Sequence, residues 1–154
     1  MKIINEGKLS LKNNGVNQWQ NGYPNEEVII TDILNDESYV LEYKGKIIGT
    51  TALSFRGEKT YDKIYDGKWI SNGDYAVVHR IAACKIDGIK SVGTEILKEV
   101  EKICLARSIK NIKIDTHEDN KVMQKLLLKN NYKYCGVIYL EDGSKRIAFE
   151  KEIL

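Results

Sequence analysis
The chain has almost no proline. Pro24 is the one proline in 154 residues, so the apolar segments lie free of the residue that most strongly breaks helices and central strands. Long hydrophobic runs are missing too. None approaches the roughly 20 residues that cross a bilayer. The opening MKIINEGKLSLKNNG lacks the apolar stretch of a secretory leader. A cytoplasmic chain with no membrane role is expected. Neither sign of charge dominates: 24 Lys and Arg face 22 Asp and Glu, a formal charge of +2. That is far from the basic profile of a nucleic-acid binder. Cysteine is scarce and odd in number, at Cys84, Cys104 and Cys135, with no CxxC pair. The two histidines, His79 and His117, lie at no metal-ligand spacing from them. The pattern argues against a metal site and for three reduced, mostly buried thiols.

What remains is an ordinary globular composition, 42% apolar and 30% charged. One domain over residues 1–154 is expected, large enough to bury a core. Residues 2–13 read as helix with Ile3, Ile4, Leu9 and Leu11 on a loose stripe. NNGVNQWQNGYPN is loop. Residues 26–36 read as a short amphipathic helix, with Val28, Ile29, Ile33 and Leu34 at helical spacing. SYVLEY and KIIGTTALSF are strands, joined by Lys44-Gly45-Lys46, a hairpin signal. Residues 57–74 are polar and dotted with aromatics, and long enough to be functional or to hold a short element. YAVVHRIAAC (75–84) is a nearly continuous apolar strand of the kind covered on both faces. Helical spacing runs from Val92 to Cys104. NIKIDT is a strand. A second helix covers 119–130 with Val122, Met123, Leu126 and Leu127 inward. YKYCGVIYL and RIAFEKEI close the chain as a hairpin. The strand–helix–strand run in the middle predicts two parallel strands with a right-handed crossover, hence an α/β fold with a mixed sheet.

The chemistry is expected at the end of the 75–84 strand. In open α/β sheets ligands sit beyond the carboxyl ends of parallel strands. There KIDGIKSVGTEIL leads into a helix N-terminus, whose first N–H groups lack intrahelical partners and favour an anion. Gly88 permits a positive φ and Gly93 a close backbone approach. Ser91 is a candidate N-cap that could instead turn to a phosphate. Lys90 adds charge. The loop is neither a Walker sequence nor a GxGxxG dinucleotide fingerprint. From the residues alone, a phosphate cradle and a plain loop–helix junction both stand.

The order of apolar strand, glycine loop, helix, strand, Asn-led helix and hairpin resembles the GNAT superfamily of N-acetyltransferases. YAVVHRIAAC resembles its fourth strand, and GIKSVGTEIL its pyrophosphate loop, (Arg/Gln)-x-x-Gly-x-(Gly/Ala). IDTHEDNKVMQKLLLKNNYKYCGVIYL is similar to the strand, helix and strand that follow. GVNQWQNGYPNEEV and YDKIYDGKW extend the likeness to one bacterial group over nearly the whole chain. The resemblance implies a mostly antiparallel mixed sheet with one parallel β-α-β unit and helices on both faces. It implies acetyl transfer from acetyl-CoA to a small-molecule or protein amine, with no metal. Acetyl-CoA would lie against Ile81, Ala82 and Ala83, against the loop Gly88, Ile89, Lys90, Ser91, Val92, Gly93 and Thr94, and near Asn120. His79 falls where many members carry a glutamate base. A satisfied strand histidine is the alternative. Gly88 and Ser91 depart from the loop pattern, and Leu127 stands where a tyrosine often serves as general acid. Those departures keep open a non-catalytic acyl-CoA-binding module or a partner-binding subunit. The resemblance also implies a first strand ahead of the first helix. Met1 aligns within that helix, so SYVLEY is expected to form an open sheet edge, with a homodimer as one consequence.

Overall fold
The computed structural model describes residues 1–154. Helix α1 (Lys2–Asn13) and helix α2 (Glu26–Leu34) precede strands β1 (Ser38–Tyr43) and β2 (Lys46–Ser54). A single 3-10 turn, Lys59–Tyr61, interrupts the following loop. Then come β3 (Ala76–Ala83), α3 (Val92–Ala106), β4 (Asn111–Thr116), α4 (Lys121–Lys129), β5 (Lys133–Tyr139) and β6 (Lys145–Glu152). The strands form a six-stranded mixed sheet in the order β1-β2-β3-β4-β6-β5. Its one parallel pair is β3 with β4, in register at Ala76–Ile112 and Val77–Lys113. This is the α/β architecture expected above. The chain falls into two compact units, Met1–Leu53 with Val78–Val100, and Ser54–Val77 with Glu101–Leu154.

In the first unit, Lys44 (φ 50°) and Gly45 (φ 76°) make the β1–β2 turn. Two consecutive positive φ values define the hairpin turn whose twist matches the flanking strands. Between Leu41 and Glu42 the partner on β2 jumps from Gly49 to Ile47, so Ile48 is the extra residue and β1 itself is regular. Gly49 leaves room for α3: a Cβ there would meet Ile96 Cδ1 at 2.6 Å. Ile48, Leu53, Val78, Ile96 and Leu97 are buried. Residues 1–8 form no strand, and β1 has β2 as its one neighbour at the sheet edge.

The α2 pattern needs correction. Ile33 and Leu34 are 57% and 78% exposed, and the buried residue of the helix is Asp32. Val28 and Ile29 are half-buried, but the helix turns its second half so that Asp32, drawn in by a polar partner described below, is buried in place of Ile33 and Leu34. A smaller correction applies to α4. Val122 is 73% exposed. The helix begins at Lys121 rather than 119, because Asn120 is its N-cap and accepts the Met123 N–H at 3.1 Å. That start turns Leu127 fully inward, with Met123 and Leu126 half-buried beside it.

In the second unit, the long 57–74 segment is tied down at several points. Trp69 donates its indole N–H to the Tyr61 carbonyl at 2.9 Å. The Lys113 ammonium lies 4.4 Å from the Trp69 ring centroid and 3.9 Å from that of Tyr75. Glu150 is fully buried and accepts from Ile70 N–H (3.0 Å), the Ser71 hydroxyl (2.7 Å) and Asn111 Nδ2 (2.8 Å). Three donors on one carboxylate offset the cost of removing it from water. Tyr65 then exchanges two backbone hydrogen bonds of 2.8 Å with Val137. That bridge covers the outer edge of β5, the last strand of the sheet. The close approach depends on Gly67, where a Cβ would lie 1.9 Å from the Cys135 carbonyl oxygen. Gly67→Ala is therefore expected to cost at least about 1–3 kcal/mol through backbone displacement. Urea unfolding measures the loss, and faster proteolytic cleavage within 57–74 reports where it falls.

Candidate active site
The end of β3 and the start of α3 build the first group. Ser91 caps α3: its hydroxyl accepts the Thr94 N–H at 3.2 Å and its carbonyl the Glu95 N–H at 3.3 Å. Of the two roles open to Ser91, the structure shows the cap. A hydroxyl used in this way leaves the Val92 and Gly93 amides as the first donors of the helix. Gly88 has φ +86° with open space where a Cβ would stand. Ile89 N–H closes a turn onto the Ile86 carbonyl at 3.2 Å. Lys90 is exposed. A shallow cavity of about 320 Å³ flanks this loop, lined by Gly88, Ile89, Lys90 and Glu95 together with Leu41, Glu42 and Tyr43. In the strand itself, Ala82 is buried, Ile81 half-buried and Ala83 exposed.

His79 lies upstream on the same strand, its carbonyl accepting the Thr51 hydroxyl at 3.1 Å. Burial pushes the imidazole pKa down to about 4, and the neighbouring Arg80 cation adds to the effect. The ring is thus neutral at physiological pH. Arg80 sits at φ +51°, a left-handed conformation that costs a non-glycine residue about 1 kcal/mol or more. Its side chain explains what holds it there. Nε and Nη2 donate to the two oxygens of Asp32 at 2.7 and 2.5 Å, and Nη1 donates to the Tyr23 hydroxyl at 2.8 Å. This fork-to-carboxylate pair is 14% and 10% exposed at its two side chains, the geometry that best repays desolvation of both charges. Sequence reasoning passed over it. The available signal was a lone aspartate in the apolar run VIITDIL.

The second unit holds the other expected residues. Asn120 is buried, its Oδ1 committed to capping α4. Before it, His117 Nδ1 accepts the Asp119 N–H at 3.0 Å, and Glu118 pairs with Lys145 at 3.0 Å. Asp115 accepts the Tyr61 hydroxyl at 2.6 Å. Burial raises the Asp115 carboxyl, partly countered by that hydrogen bond. Leu127 has no exposed surface. Tyr134 packs edge-on against Phe149 and Tyr139 against Tyr65, so both rings pack against the sheet.

A strand, a positive-φ glycine turn and a capped helix N-terminus, on a mixed sheet with one parallel pair, form a junction suited to an anion. The profile of the Acetyltransferase (GNAT) family matches residues 11–132, most of the chain, and the protein belongs to that family. The crystal structure of an acetyltransferase of the GNAT family from Streptococcus agalactiae 2603 is similar at 32% identity and TM-score 0.89, over 100% of this chain and 88% of that one. A GNAT acetyltransferase from Listeria monocytogenes 4b F2365, at 17% identity and TM-score 0.72, shares the fold over 99% of this chain and 86% of its own. So does a ribosomal-protein-alanine N-acetyltransferase from Brucella melitensis, at 11% identity and TM-score 0.65, over 99% and 93%. Among curated proteins none matches this chain.

Proposed function
We propose that the protein moves an acetyl group from acetyl-CoA to an amine, by direct attack of the amine on the thioester. The observation that carries this reading is the β3–α3 junction. Its free amides at Val92 and Gly93, the open turn at Gly88 and the exposed Lys90 suit a pyrophosphate, held mostly by backbone N–H groups and the positive end of α3. The side chain missing at Gly88 lowers affinity without removing the cradle. Family likeness adds Ile81, Ala82, Ala83, Thr94 and Asn120 as cofactor contacts, with a backbone N–H near Ala82 or Ala83 as oxyanion donor.

His79 is the proposed proton acceptor. An imidazole with a pKa of about 4 is too weak a base to strip a free ammonium ion. It suffices once the carbon–nitrogen bond begins to form, because the attacking nitrogen then becomes strongly acidic. The amine arrives neutral and loses its proton to His79, directly or through water, as the thioester carbonyl collapses. Leu127 can give no proton, so the departing CoA thiolate takes one from solvent. An N-acetyltransferase that lacks a dedicated acid is still competent, because a thiolate is a good leaving group.

Incubation with acetyl-CoA and a panel of amines should release free thiol faster than acetyl-CoA alone. Thermal unfolding with CoA at about 100 times its dissociation constant should show roughly 2.7 kcal/mol of added stability. A CoA shift without thiol release would replace catalysis by an acyl-CoA-binding role. No shift at millimolar CoA would overturn both.

A further inference from the structure
We propose that the acceptor is an amine of low basicity, the α-amino group of a peptide rather than a lysine ε-amine or a polyamine. The proposal rests on the acetyl-transfer reading above and narrows its substrate. Its ground is the set of groups around His79. Asp32 comes from α2, Tyr23 from the loop ahead of that helix, and Arg80 from β3 itself. Asp32 gives both carboxylate oxygens to the Arg80 fork, and the Tyr23 hydroxyl accepts from Nη1. From β2, the Thr51 hydroxyl donates to the His79 carbonyl. One carboxylate and one guanidinium thus act on the ring, already joined to each other.

That arrangement decides which form of an amine suits the ring. His79 is half-buried, so a nitrogen brought to it leaves much of its water behind. A neutral amine loses little by this, whereas an ammonium needs an anion to offset the cost. The anion beside the ring, Asp32, is engaged by Arg80 at 2.7 and 2.5 Å. The pair as a whole is neutral. Of its two charges, Arg80 acts on the ring more strongly. The field at His79 is therefore positive on balance and opposes a second cation. The imidazole, held neutral by the same surroundings, binds a proton too weakly to take one from an ammonium ion. Selection falls on amines that shed their proton in solution. A peptide α-amine titrates at about 7.7–8.0 and a lysine ε-amine at about 10.4. At pH 7.5 the neutral fraction of the first is roughly 200–300 times that of the second.

Two small acceptors test this, alanylalanine amide and Nα-acetyl-lysine amide, each with acetyl-CoA and with thiol release as the readout. At pH 7.5, kcat/KM should favour the α-amine by at least about tenfold. As pH rises from 7 to 9, kcat/KM should level off near 8 for the α-amine and climb about tenfold per pH unit for the ε-amine. Arg80→Gln frees the Asp32 carboxylate beside His79 and should narrow the preference by about tenfold, because an ammonium then meets an anion. Circular dichroism checks that this variant folds, and the profiles of the unaltered protein decide the matter without it. Equal kcat/KM for the two amines at pH 7.5, or a flat profile for the lysine substrate, would overturn the proposal and leave acetyl transfer standing. No thiol release from these or from a wider panel of amines would remove acetyl transfer and the proposal with it.

Discussion

Replacing Asp32 by alanine should destabilise the protein by about 3–5 kcal/mol, the cost of stranding a buried cation. The Arg80 guanidinium would keep the single neutral Tyr23 hydroxyl in place of a carboxylate that now takes two of its N–H bonds. The size of the loss reflects what remains behind and not the net worth of the pair. Asp32→Leu combined with Arg80→Met should therefore recover most of the stability. Chemical denaturation of the three variants separates these cases. A loss under 1 kcal/mol in the single variant would mean that water enters and solvates Arg80. The same substitution should also lower turnover, because the left-handed backbone at Arg80 adjoins His79 and has no other visible reason to persist. Arg80→Lys tests this separately: a point charge without the fork leaves the ion pair poorly anchored.

The second large effect is at His79. His79→Ala should reduce kcat by about 10²–10⁴ if the ring takes the amine proton, and a change within threefold would discard that role. The pH profile gives an independent check. An imidazole shifted down to about 4 should produce no limb in kcat near 6.5, where an ordinary histidine titrates. The same shift acts on stability. The unfolded chain protonates this ring below about 6.5, whereas the folded ring stays neutral until about 4. Between those values the unfolded state binds more protons, so stability falls as pH falls. The total lost is on the order of 3 kcal/mol once pH drops below the folded value. His79→Gln should flatten that part of the curve in urea titrations between pH 7 and 4, and an unchanged slope would count against the half-buried ring being neutral.

Local patterns carried much of the architecture. The hairpin after Tyr43, the apolar β3 run and the 3.6-residue spacing from Val92 each depend on near neighbours, and each appears, with the turn narrowed to Lys44-Gly45 because Lys46 already belongs to β2. Gly88 adopts the positive φ expected of it. The α4 misreading is local, a helix start set by the Asn120 cap, whereas two buried carboxylates depend on partners far away in sequence. Asp32 turns inward because Arg80 lies 48 residues on. Glu150 is buried because donors arrive from Ile70, Ser71 and Asn111, up to 80 residues away. Neither pairing leaves a periodic trace. Asn120 shows a different kind of ambiguity. An asparagine ahead of a helix is both a cap and a polar group for a ligand, and the structure shows it capping while the ligand role rests on likeness. Leu127 has no proton to donate, and its full burial makes it part of the core.

The bridge between Tyr65 and Val137 limits more than local unfolding. An uncovered β5 edge would offer its backbone groups to strands of other molecules. Tyr65 occupies that edge at Val137, so loosening the bridge, as Gly67→Ala should, is expected to raise the tendency to aggregate, read as light scattering over time.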